Sequence, residues 1–147
     1  TKKARKYKWE WYDGSDDPEK FQKYLWYSYE MRSPNVVNIV EETKDIVINH
    51  NWNLIKSWYF SQSDWRTLSF KEYCIKNSNN IDYCTQEAEK YPFLVSVADP
   101  ASKWKARYGH GVGISWLWAT YFSNAWWTAQ MIIRYYYKWV DIVTNNL

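Results

Sequence analysis

Cysteine, glycine, proline and histidine are all scarce in this chain of 147 residues. Two Cys are too few to build a disulfide scaffold, and four Gly with four Pro exclude collagen-like and Pro-rich low-complexity chains. Charge of one sign is also lacking. The 19 basic and 16 acidic residues leave +3, too mild to imply nucleic acid by itself. A mean hydropathy of −0.69 excludes a polytopic membrane protein and leaves room for one span. No Ser-His-Asp order, HExxH or paired-carboxylate signature appears, so the chain reads as a non-enzyme with no catalytic residue. What is abundant is aromatic. Rings make up 21% of the residues, with 12 Trp and 14 Tyr, which rules out a disordered polar tract. The length is that of one ordinary domain, with or without a tail.

The charges are distributed more informatively than their sum. From Tyr108 to Ile133 run 26 residues without Asp, Glu, Lys or Arg. A helix of that length reaches roughly 39 Å, enough to cross a hydrocarbon core of roughly 30 Å. Basic residues flank it: Lys103, Lys105 and Arg107 before, Arg134 and Lys138 after. Aromatics crowd both ends, and Trp104, Arg107, Tyr108, Arg134, Tyr136 and Lys138 form the expected membrane-interface set. Ser115, Ala119 and Ser123 fall at i, i+4 and i+8, a small-residue face that lets helices approach closely. Asn124, near the middle, is expected to join that face in packing against a partner helix, because an unpaired amide is costly in lipid. The alternative is a buried helix of an aromatic-rich soluble domain, since Thr120, Thr128 and Gln130 keep the stretch only moderately apolar.

Before this stretch the chain reads as a soluble, mostly helical arm. Lys2, Lys3, Arg5, Lys6 and Lys8 alternate with Tyr7, Trp9, Trp11 and Tyr12, which suits an acidic lipid, a nucleic acid or a partner surface. This is not a secretory signal, because no apolar core segment is present. Asp16-Asp17-Pro18-Glu19 starts a helix that leads into the aromatic stretch Phe21 to Met31. Ser33-Pro34 repeats the signal ahead of Val36 to Phe60, where helix is preferred over a short strand at Ile46-Val47-Ile48, with a break near Asn49 to Asn53. Ser69-Phe70-Lys71-Glu72 matches a capping box and opens a short helix; a loop at Asn77 to Asn80 and a helix from Ile81 to Lys90 follow. Pro92 and Asp99-Pro100 mark an extended connector.

Nine residues separate Cys74 from Cys84, the spacing of cysteine-bridged helical hairpins in the mitochondrial intermembrane space. Such hairpins use two pairs, and this chain has one. A disulfide is possible if the Asn77–Asn80 loop folds the two helices together; two reduced, partly buried thiols are the default. Four ligands are wanted for zinc, and no Cys/His pair lies nearby. His110, within Gly109-His110-Gly111-Val112-Gly113, is expected to be a hydrogen-bonded interfacial His rather than a haem or quinone contact. The glycines lack the Lys-Ser/Thr ending of a phosphate loop. His50 is expected at the surface.

Asp99-Pro100, Trp104, Arg107-Tyr108-Gly109 and the closing Tyr135-Tyr136-Tyr137 resemble small single-span accessory subunits of mitochondrial respiratory complexes, those of the complex I membrane arm foremost. The resemblance implies a non-catalytic role in assembly and stability, with lipids and neighbouring subunits as partners. It implies no cofactor, no metal, no small-molecule substrate and no nucleic acid. The expected fold is mostly α: residues 1–98 an irregular, extended helical arm, 99–107 a basic connector, 108–133 one transmembrane helix, 134–147 a short tail, and no independent compact catalytic domain. Location follows as the mitochondrial inner membrane. Lys90, Lys103, Lys105 and Arg107 outnumber the basic residues after the span, which puts the N-terminal arm on the matrix side. ATP synthase or another respiratory complex remains open. A different class of function is a soluble, basic, aromatic-rich module that stacks on single-stranded nucleic acid.

Overall fold

The structure, a computed structural model, describes residues 31–144, with Pro34 and Ala101 described by backbone alone. The basic–aromatic segment 2–12, the helix start at Asp16–Glu19 and most of Phe21–Met31 lie outside the described residues. Helix α1, Pro34–Thr43, has Pro in its first turn as expected. Lys44 and Asp45 separate it from strand β1, Ile46–His50, where Ile46, Val47 and Ile48 follow their β preference. The long helix expected from Val36 to Phe60 is therefore corrected to a short helix and a strand. Strand β2, Asn53–Leu54, returns antiparallel, with His50 opposite Asn53 across a turn in which Asn51 and Trp52 both take positive φ. Strand β5, Asp141–Thr144, completes the sheet in the order β2-β1-β5.

Residues Val47–Val143 form a compact unit of their own, and α1 belongs to a second one. The larger unit runs across the boundary expected at residue 98. Its centre is an extended thread from Trp58 to Phe70 with few formal strands but many backbone bonds. Strand β3, Tyr59–Phe60, pairs in parallel with β4, Ile114–Ser115. Further along, Thr67 and Phe70 donate to the carbonyls of Val97 and Leu94 on one flank, and Leu68 donates to Gly111 on the other. The thread is thus the middle strip between 94–99 and 108–115.

Two short helices close one end. Helix α2, Phe70–Ser78, carries the complete capping box: Ser69 Oγ accepts from Glu72 N and Glu72 Oε2 accepts from Ser69 N at 2.8 Å. Asn79 stops it in the left-handed region (φ 55°), and Asn80 starts helix α3, Ile81–Ala88, by accepting from Tyr83 N. Two asparagines make the whole turn. It brings the Cα atoms of Cys74 and Cys84 to 5.5 Å, and the two are disulfide-bonded. The reduced pair is thereby corrected, and the bridge lies in the core beside Leu68, Phe70, Phe93, Leu94, Val112, Tyr137 and Val140.

The transmembrane helix at 108–133 is overturned. Among the described residues no helix is long and apolar enough to cross a membrane. The longest described helix has ten residues, about 15 Å, half of a bilayer core. Gly109, Gly111 and Gly113 all take positive φ, which a continuing right-handed helix forbids. After β4 comes helix α4, Trp116–Asn124, ended by Ala125 and Trp126 at φ 65°. Thr128 then caps helix α5, Ala129–Tyr136, by accepting from Met131 N. The uncharged stretch is divided between core and surface: Val112, Trp118 and Phe122 are buried, whereas Tyr108, Trp116, Tyr121 and Trp126 are exposed.

At Gly113 an added Cβ would lie 1.9 Å from the Trp58 carbonyl oxygen, with φ at +78°. Gly113→Ala is expected to cost at least about 3 kcal/mol, read as a lowered midpoint in urea unfolding. Unchanged stability would show that the chain does not approach itself there. Replacing Cys84 with Ser removes a bridge between residues ten apart and leaves a hydroxyl at a site with no exposure. About 2 to 5 kcal/mol of stability should be lost, and reductant should then have no further effect on the thermal midpoint.

Candidate functional site

Residues 98–108 form a short excursion pinned at both ends. On entry Asp99 N donates to the Trp65 carbonyl at 2.7 Å, and Pro100–Ser102 make a 3₁₀ turn. On exit Tyr108 and Gln62 exchange both backbone bonds, at 3.1 and 2.8 Å. Gln62 Nε2 donates to Ala106 O at 2.7 Å, and Arg107 Nη2 reaches both Asp64 Oδ1 at 2.6 Å and Arg66 O at 3.1 Å. Between these clamps the tip Lys103-Trp104-Lys105 turns back through Trp104 at φ 72°. The excursion and the thread enclose an open cleft of about 360 Å³ lined by Asp64, Trp65, Ala98, Pro100, Lys103 and Trp104.

Beneath the cleft lies a buried carboxylate. Asp99 has no exposed surface; Ser63 Oγ donates a short hydrogen bond to it, and the Tyr136 hydroxyl donates a long one at 3.4 Å. Burial raises the Asp99 pKa, and the hydroxyls of Ser63, Ser115 and Tyr136 oppose this without cancelling it. Burial and the neighbouring carboxylate hold the Tyr136 phenol far above its ordinary range, so it stays a donor. For Asp64 burial acts upward, but Arg107 and backbone donors outweigh it, and its pKa is lowered. One carboxylate is thus an exposed-side ion pair and the other a partly compensated charge within the fold.

The expected membrane-interface residues separate into two groups. Trp104, Arg107 and Tyr108 sit together on the excursion, with Trp104 91% exposed and Arg107 held in its ion pair. Arg134 and Lys138 instead line a second cleft of about 450 Å³ with Val95, Tyr137, Trp139 and Val140. Tyr136 is in the core at 1% exposure. The small-residue face is not buried as one surface. Ser115 is the buried residue before α4, Ala119 is half-buried, and Ser123 and Asn124 are exposed at the helix end. Trp65 and Asp64 carry no periodic signal, so their part in the cleft was invisible in the sequence.

Four tryptophans, Trp52, Trp104, Trp126 and Trp139, occupy turns at positive φ with their rings largely in solvent. The left-handed conformation costs a bulky residue roughly 1–2 kcal/mol, which Gly or Asn would largely avoid. Burial of the ring offsets none of that, so these positions work against folding and are suited to contact with something outside the fold.

His110 packs edge-on to Trp58 at 5.0 Å and near Phe60 and Tyr73, and its Nδ1 accepts from Val112 N at 3.1 Å. Burial lowers its pKa, so it is a neutral ring inside an aromatic box. Among the described residues no group of three or more His, Cys, Asp or Glu is placed to hold a metal. No family model, curated protein or solved structure matches the chain.

The Asp99 carboxyl gives a test of this geometry by pH. Its native pKa is raised above 3.8, so the folded form binds the proton more tightly than the unfolded chain. Its contribution is most favourable below that value and declines as pH rises towards the native pKa. Asparagine does not titrate. The stability of Asp99→Asn relative to the parent should therefore improve as pH rises from about 3.8 towards the native pKa and level off above it, measured by urea unfolding across a pH series. A pH-independent difference would place the carboxyl in water.

Proposed function

We propose that the chain is a non-catalytic structural subunit of a larger assembly, a mitochondrial inner-membrane respiratory complex in the first instance, attached by its surface. One observation carries this: Trp52 and Trp126 are 95% and 93% exposed on a small scaffold. Rings of that size left in water are the residues that dominate binding once covered, and Trp is enriched where partners meet. The respiratory assignment rests on the resemblance of the Asp99–Gly109 and Tyr135–Tyr137 segments, and complex I stays the preferred complex. Supporting assembly and stability is the role that fits.

The Cys74–Cys84 bridge bears on the compartment. A buried disulfide between residues of one hairpin favours an oxidising environment, and the matrix is reducing. Within the mitochondrial reading the larger unit therefore belongs on the intermembrane-space face, opposite to the side that the charge bias suggests. That bias was a rule about the flanks of a span, and 108–133 is not one.

Trp52→Ala combined with Trp126→Ala should leave folding within about 0.5 kcal/mol of the parent, because neither ring is packed. Recovery of the protein in a large complex on native gels of detergent-solubilised mitochondria should nevertheless fall several-fold. Migration of the parent chain at its monomer mass would overturn the subunit reading. Thiol alkylation without prior reduction checks the compartment: both cysteines should be protected in intact organelles.

A further inference from the structure

We infer that the Lys103-Trp104-Lys105 tip, with Trp65 and the cleft between them, is a docking site for an anionic phospholipid surface. This deepens the reading as a membrane-associated subunit, but it is a property of one tip and is testable on the protein alone.

Charge points to an anionic occupant. Every other ionised group around the cleft is already matched: Asp64 with Arg107 at 2.6 Å, and Arg66 with Glu72 at 2.8 Å. Asp99 is buried beneath. Among the described residues Lys103 and Lys105 have no acidic partner, so the tip presents two uncompensated positive charges, one on each side of an indole. Lys103 Nζ lies 5.2 Å from that ring, which leaves its charge beside the apolar surface rather than away from it.

The composition of the tip decides between surfaces. Protein interfaces enrich Trp and Arg but deplete Lys, so a Trp between two lysines is a poor match to a protein partner. A single-stranded nucleic acid wants several platforms along a basic groove, whereas here ring and charges share one projecting turn. A bilayer surface takes this combination. Trp settles at the headgroup level, its apolar ring in the boundary, and lysines beside it meet anionic headgroups. The tip is also pre-shaped for the task. The Gln62–Tyr108 pair, the Gln62–Ala106 bond and the Arg107 clamp hold its base, so little ordering is required on contact. Trp65, 57% exposed, lines the cleft with Trp104 and supplies a second ring.

The test is co-sedimentation of the full chain with vesicles of phosphatidylcholine alone, or of phosphatidylcholine mixed with phosphatidylglycerol. Binding to the mixed vesicles is expected, falling with added salt, and little binding to the neutral ones. Lys103→Gln and Lys105→Gln should each weaken it about fivefold. Trp104→Ala should weaken it about tenfold, and Lys76→Gln on α2 should leave it unchanged. Matching thermal midpoints show that the variants remain folded. Equal binding by all variants, equal binding to both vesicle types, or no binding would each overturn the proposal. So would tighter binding to oligothymidylate than to the mixed vesicles, which would assign the tip to nucleic acid. A failure here with complex recovery intact leaves the subunit reading standing. Loss of both would remove it as well.

Discussion

The carbonyl oxygen of Trp58 ties two distant parts of the chain, Gly113-Ile114 and Tyr137, to one point. Ile114 N donates to it at 3.0 Å and the Tyr137 hydroxyl at 2.5 Å, while Gly113 passes so close that no side chain fits. The first bond fixes the parallel pairing of β3 with β4. The second brings the end of α5 onto the central thread. Together they set where β4 and the end of α5 meet the thread. Burial of the Tyr137 phenol, which raises its pKa, keeps that hydroxyl a donor at any ordinary pH.

Around this point the interior is built from rings more than from aliphatic side chains. Phe70 meets Tyr91 at 4.3 Å, Phe122 meets Trp127 at 4.0 Å and Trp118 stacks on Tyr121 at 4.5 Å. Flat, stiff side chains fill volume with little loss of rotamer freedom, which suits a unit with short helices and very short strands. The same composition supplies the surface. Rings that pack inward and rings that face outward are chemically alike, so composition by itself does not separate core from docking surface.

That ambiguity explains what the sequence revealed and what it hid. The α2–α3 hairpin was legible because its signals are local: a capping box at Ser69 and Glu72, and an asparagine-rich turn before Ile81. The disulfide followed from the same turn, yet spacing alone left it undecided. The absence of charge from Tyr108 to Ile133 does not distinguish lipid from protein surroundings: Val112, Trp118 and Phe122 are in the core, and much of the exposed remainder is polar or aromatic without being ionised. Closer weight on Gly109, Gly111 and Gly113 would have broken the supposed helix, because three glycines at alternate positions suit an extended strip pressed against a neighbour. The cleft was hidden for another reason. Trp65 and Trp104 meet only through pairings between residues some forty apart, such as Gln62 with Tyr108, and no periodicity encodes those.

Tyr136 and Tyr137 are neighbours in sequence and are both almost wholly buried, but in different places. Tyr136 packs with Val97, Trp118 and Phe122, whereas Tyr137 packs with Leu68, Phe93, Val112 and Val140 beside the disulfide. One peptide bond therefore staples two hydrophobic clusters, and Ile114 touches both from β4. Neither cluster can open without dragging on the other. The larger unit should in consequence melt as one cooperative block, with no half-folded state in which one cluster survives the loss of its twin.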